Sequence, residues 1–183
     1  MLVTVIVIAV IVILVLWIIS VQRKLVNAEE LVKNAMSQIG VQQSSRWDAL
    51  TGLVELLKSY NEHEYNTLRD VIAARSSIGS NSTAAQAQEQ EDLIGKVMSR
   101  LSVVAEHYPD LKADSMYIST MNSVNTYENQ VRLSRMTYND TVTRYNRMIR
   151  QIPDSIVASI FRFGEKDYLK ENTAKSDMPS LKI

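Results

Sequence analysis

Glu64, Glu128, Arg135 and Arg75 are the residues of this chain whose types and positions invite chemistry. The first three fall on otherwise apolar helical stripes, where a lone charge costs several kcal/mol unless it is paired. Two carboxylates and a guanidinium gathered in one cleft can act as general acid, general base and ligand clamp. The same residues, with Arg75 as a partner and Arg69 and Asp70 nearby, also read as an interhelical polar network that fixes register. The network is the reading adopted, with the carboxylate and arginine cleft of an enzyme as a remote alternative. His63-Glu64 opens a zinc motif, His-Glu-x-x-His, but the second histidine would be residue 67, which is Thr67. A carboxylate di-metal bundle needs two Glu-x-x-His pairs, and the positions three before His63 and His107 are Tyr60 and Val104. No glycine-rich phosphate loop and no G-x-S-x-G elbow is present. The expectation is therefore no catalytic residue, no cofactor and no metal.

A second polar constellation is the repeat YNDTVTRYN at 138–146. Tyr138 and Tyr145 stand one heptad apart and flank Val142 on a helical seam. Their rings suit the seam while the hydroxyls reach polar partners. Asn139 and Asn146 sit at the seam's edge, where they can bond to the next helix or to a second protomer and fix register.

These residues need long helices to position them. The chain has 183 residues but only 5 glycines and 3 prolines, so uninterrupted elements are expected. A heptad stripe runs through Leu25, Ala28, Val32, Ala35 and Ile39. After the polar interval GVQQSSRWD (40–48) it resumes at Leu50, Leu53, Leu57 and Tyr60, then Leu68, Val71 and Ile78. One helix over 25–78, bent at Gly52, fits this pattern. Residues 76–91 are small and polar and read as a loop with a fraying helix start. A second helix carries Ile94, Val97, Leu101, Val104 and Tyr108 and breaks at Pro109, with Asp110 placed to cap the next element. The third, with the longest clean pattern, runs from Tyr117 to Ile152 and stops at Pro153. A short apolar piece, 155–163, packs back as a fourth. The fold class is all-α, an elongated antiparallel bundle of three or four helices with coiled-coil character.

Residues 2–19 read LVTVIVIAVIVILVLWII, with Thr4 the only polar side chain and no charge before Arg23. About 20 apolar residues at 1.5 Å each cross a hydrocarbon core of about 30 Å, and a secretory signal would carry a basic start and a small-residue cleavage site that are missing here. The expected organisation is a transmembrane anchor over 1–21, the bundle over 22–163 and a mobile polar tail over 164–183. Arg23 and Lys24 flank the span on its C-terminal side, which places that side in the cytoplasm and the N-terminus outside; Trp17 suits the inner interface. Basic and acidic residues number 20 each, leaving no electrostatic footprint for nucleic acid. Cysteine is absent.

Several blocks in order, NAMSQIGVQ (34–42), SYNEHEYNTLRDVIAARSSI (59–78), YPDLKA (108–113), YEN (127–129) and the double YN pattern ending at Pro153, resemble the LemA family. The chain departs from that family's usual residues at Met36, Gly40, Ser44-Ser45 and Thr51-Gly52. The resemblance implies a bacterial single-pass protein of the inner membrane with a cytoplasmic helical bundle, and it carries over no catalytic residue. Together these readings predict a non-enzymatic, membrane-anchored scaffold that contacts the lipid bilayer and forms a homo-oligomer or docks a partner. An adaptor for another membrane protein, such as a protease or sensor, without self-association, is the alternative.

Overall fold

The computed structural model describes residues 1–170. Six helices account for most of them: α1 (Leu2–Leu57), α2 (Glu62–Ala73), α3 (Ala84–His107), α4 (Pro109–Ala113), α5 (Ser115–Arg150) and α6 (Asp154–Ile160). No strand occurs among the described residues.

α1 is a single helix of 56 residues, about 84 Å long. Residues 2–16 are exposed and, apart from Thr4, apolar, and the bundle begins to cover the helix at Trp17 and Ile18. The helix passes through 40–48 without interruption, because that interval is not a break in the stripe. Ile39, Gln43, Arg46 and Leu50 continue the spacing, and all four are buried.

The expected single helix over 25–78 is corrected at residues 58–61. The amides of Tyr60 and Asn61 both donate to the carbonyl of Leu57, closing α1. Asn61 then caps α2 by accepting from the Glu64 amide at 3.0 Å, and α2 folds back along the end of α1. The turn needs neither glycine nor proline. A capping asparagine and a hydrogen bond from its Nδ2 to the Tyr108 hydroxyl (2.9 Å) stabilise it.

The stretch 76–91 is also corrected, since α3 already starts at Ala84. Thr83 and Gln86 form a reciprocal capping box, and Ala84 and Ala87 are buried because their small side chains let α3 approach α1 closely. Asp110 does not cap the long helix. It lies in the first turn of α4, and Asp114 caps α5 by accepting from the amides of Met116 and Tyr117.

α5 runs antiparallel to α1 over the whole bundle: Thr120 faces Gly52, and Glu128 meets Arg46. The core has two apolar halves. One lies toward the exposed span and gathers Val21 to Ile39 with Tyr138 to Ile149, Val157 and Ala158. The other gathers Trp47 to Leu57 with Leu68, Ile94 to Ala105, Leu111, Tyr117 and Val124. After α6, the amides of Arg162 and Phe163 bond back to the carbonyls of Ser159 and Ala158, with Arg162 in the left-handed region (φ 58°). This motif reverses the chain and starts an extended segment, 163–170.

Candidate functional site

Between the two apolar halves lies a polar layer built by α1, α3 and α5. Arg46 is 4% exposed and sits at its centre. Its Nη1 donates to Glu91 Oε1 at 2.9 Å and its Nη2 to Glu128 Oε2 at 3.3 Å. Gln43, one turn earlier on α1, donates to the Ala87 carbonyl at 3.3 Å and lies 3.5 Å from Glu91 Oε2. Gln90, also buried, accepts from the Ser76 amide at 3.0 Å and fastens the α2–α3 loop. The layer ties α1 to both other long helices through charge-assisted bonds whose donors and acceptors face each other.

Of the expected network, Glu128 and Arg135 both adjoin the Arg46 layer, whereas Glu64 and Arg75 make contacts elsewhere. Glu128 belongs to the Arg46 layer. Glu64 forms a bidentate pair with Arg100, at 2.7 and 2.9 Å, where α2 crosses α3. Arg75 pairs with Asp48 at 3.0 Å on the surface, and Arg69 only with its neighbour Asp70. Arg135 donates through Nη2 to Gln88 Oε1 (2.8 Å) and to the Lys170 carbonyl (2.6 Å), and burial lowers its pKa against the opposing pull of Glu91 and Asp92. The three charges of the remote cleft therefore do not converge. Sequence reading missed Arg46, Gln43 and Glu91. The signal was present, since Gln43 and Arg46 hold the two stripe positions between Ile39 and Leu50.

The Glu64–Arg100 pair gives a pH dependence. Bonding to Arg100 holds the Glu64 carboxyl below its ordinary value of 4.5, with the charges of Arg100, His63 and His107 acting the same way. A depressed carboxylate stabilises the fold above its unfolded pKa and loses that contribution as pH falls through the folded value. Glu64→Gln is expected to unfold at slightly lower urea than the wild type at pH 7, and the gap is expected to close on acidification below 4.5. Arg100 is half exposed, so the gap is small. His63 is exposed and His107 Nδ1 lies 2.8 Å from the Val103 carbonyl. Among the described residues no three His, Asp or Glu side chains gather as a metal site.

The YN doublets hold something other than a neighbouring helix or protomer. They clamp the extended segment 164–170 of their own chain. Asn146 donates to the Lys166 carbonyl and accepts from the Lys166 amide, both at 2.9 Å. Asn139 does the same for Leu169, at 3.0 and 2.9 Å. Tyr145 donates to the Gly164 carbonyl at 3.0 Å and Tyr138 to that of Asp167 at 3.1 Å. Burial pushes the Tyr145 phenol up to about 12 and also raises that of Tyr138, so both remain donors. Lys166 adds an ion pair to Glu29 on α1 (2.6 Å), and Leu169 is buried. The mobile tail expected from residue 164 is thus corrected: 164–170 is a strap, and 171–183 lie outside the described residues.

Each asparagine satisfies one amide and one carbonyl of the strap, and a lost bond of this kind costs about 1 kcal/mol, more where a partner stays buried. Asn139→Ala with Asn146→Ala is expected to abolish hydrogen-exchange protection at the Lys166 and Leu169 amides while α1 and α5 keep theirs. Retained protection at both amides would refute the clamp.

At the other end of the bundle, Trp17 is half-buried against the core half nearest the span, Arg23 is exposed, and Lys24 bonds Asp154 of α6 at 2.7 Å.

A sequence model described as the LemA family matches residues 35–182, a span that takes in the polar layer, the doublets and the strap. The relative "Protein LemA" of Metamycoplasma hominis is 24% identical over 129 residues, which covers 70% of this chain and 59% of that protein. The chain thus spans less than two thirds of that relative's length. With the family match running across both halves of its core, the chain belongs to the LemA family.

Proposed function

We propose that the protein is a non-enzymatic, membrane-anchored scaffold. In this reading residues 2–19 span the inner membrane with the N-terminus outside, and the bundle stands in the cytoplasm, where it self-associates. The observation that carries the reading is the unbroken helix Leu2–Leu57. It joins an exposed apolar segment long enough to cross a bilayer to the bundle core with no linker between them. Such a joint transmits orientation, which a scaffold needs. Arg23 and Lys24 support the orientation by the positive-inside rule. The polar residues support a structural role, since the buried charges and the YN doublets engage other parts of the same chain.

Self-association is supported by a shallow groove between α1 and α5 that includes Ala28, Leu31, Gln38, Thr137 and Thr141, with Leu31 59% exposed. Parallel anchors would allow protomers to pack side by side in a cyclic array. The test is the mass of the full chain extracted with its native lipids. Several copies per particle are expected. One copy alone contradicts the proposal, and one copy bound to a different membrane protein replaces it with the adaptor reading.

A further inference from the structure

We infer that α6 is a second membrane contact, an interfacial helix lying in the headgroup region beside the exit of α1 from the bilayer. The inference rests on the proposal that residues 2–19 span the membrane. α6 has two faces. Val157 and Ala158 are buried in the core half that also holds Val21, Leu25 and Ile149. The other face, with its flanks, is apolar and open: Ile152, Ile156, Ile160 and Phe161 are 83%, 55%, 63% and 49% exposed. Few large apolar groups stand so open together elsewhere in the bundle, and water alone gives them no partner.

Depth identifies the occupant. The span 2–19 is apolar apart from Thr4, about 27 Å of helix, which the hydrocarbon core of about 30 Å uses in full. Trp17 and Ile18 therefore lie at its inner edge, and both pack against the core half that contains Val157 and Ala158. The register of α5 on α1 agrees. With Thr120 opposite Gly52 and Glu128 opposite Arg46, α5 ends at Arg150 about level with Gln22 to Lys24, and Ile152 follows immediately beyond that end. The Lys24–Asp154 bond pins the start of α6 to α1 at the same height. A helix held there has its open face within reach of the acyl boundary, where interfacial helices bury apolar side chains by about 5–10 Å.

The charges around it fit. Lys24, bonded to Asp154, and Arg150 and Arg162, which flank α6 in the chain, are exposed, as is Arg23 beside Lys24 on α1. Of these, Arg150 lies 3.7 Å from Glu165. Arginine and lysine at this level can reach lipid phosphates while their stems cover apolar surface. Two contacts, the span and α6, would hold the bundle against rotation and tilt at the membrane, which a single helix does not.

The chain has no cysteine, so single labels are clean. Four single-cysteine variants of the full chain, Ile156→Cys, Ile160→Cys, Val10→Cys and Ile118→Cys, would carry an environment-sensitive fluorophore. They would be placed in bilayers of phosphatidylcholine and phosphatidylglycerol with brominated acyl chains. Val10 lies in the span, and Ile118 is an exposed apolar residue at the far end of α5. The expected result is strong bromine quenching at positions 10, 156 and 160, several-fold above that at 118. Quenching at 10 but only background at 156 and 160 overturns the inference and leaves the anchor intact. No quenching at 10 overturns both. Labels at 156 and 160 shielded from aqueous iodide yet unquenched by bromine would mean that a second copy covers α6, and would also overturn it.

Discussion

Gly40→Ala is expected to destabilise the bundle by about 2 kcal/mol, although the substitution lies inside a helix where alanine is normally preferred by up to about 1 kcal/mol. A Cβ at Gly40 would sit 1.9 Å from the Ile78 carbonyl oxygen and 2.7 Å from its carbon. These are backbone atoms of the α2–α3 loop, so the clash cannot be relieved by turning a side chain. The loop has little freedom, because the Ser76 amide is bonded to Gln90 and Ile78 packs on the core. Two other helical glycines provide controls within the same chain. At Gly52 the nearest atom is a Thr120 methyl at 4.0 Å, and at Gly95 nothing lies within 4 Å. Gly52→Ala and Gly95→Ala are expected to raise stability by several tenths of a kcal/mol to about 1 kcal/mol. Urea unfolding of the full chain in mild detergent reads all three. A stabilising Gly40→Ala would show that the loop does not rest on α1.

Arg46→Met is expected to cost about 3 kcal/mol, the lower end of the range for removing one member of a buried ion pair. It leaves Glu91, whose side chain is only 12% exposed, facing Glu128 across the layer without the guanidinium between them. Glu128 is 26% exposed and keeps some solvent, which limits the loss. Adding Glu91→Leu to Arg46→Met is expected to recover a large part of the stability, because a well-packed apolar replacement avoids the desolvation that the pair suffers. The double-mutant cycle separates the coupling from the individual losses. Additive effects would mean that the contacts of Arg46 are incidental.

Both predictions arise where the sequence was harder to read. The apolar span, the long α5 and its end before Pro153, and the short α6 are direct consequences of hydropathy and the 3–4 spacing, because burial of large aliphatic groups dominates those elements. The polar layer was obscured by its residue types. Gln43 and Arg46 keep the stripe's spacing, but polarity there suggested a gap, and only the opposing Glu91 and Glu128 show why they are buried. Glu128 and Arg135 were recognisable as charges needing partners, whereas the partners lay 35 to 82 residues away, beyond any local pattern. The turn at 58–61 was hidden because Asn61 is a common surface residue until its capping bonds are seen. The strap is the clearest case. The doublets were legible as a seam with polar edges, yet their ligand is backbone, which carries no side-chain signature, in a segment whose composition resembles a free tail.

The proposed scaffold requires that α1 join the apolar N-terminal segment and the bundle as one rigid body. Its most direct test is the distance between spin labels at Leu14→Cys, in the span, and Ser44→Cys, in the bundle, measured by pulsed electron resonance on the full chain in a bilayer, diluted with unlabelled protein. Thirty residues of continuous helix predict a single narrow distance of about 45 Å. A broad distribution, or one centred well below that value, would place a flexible joint between membrane and bundle and contradict the account.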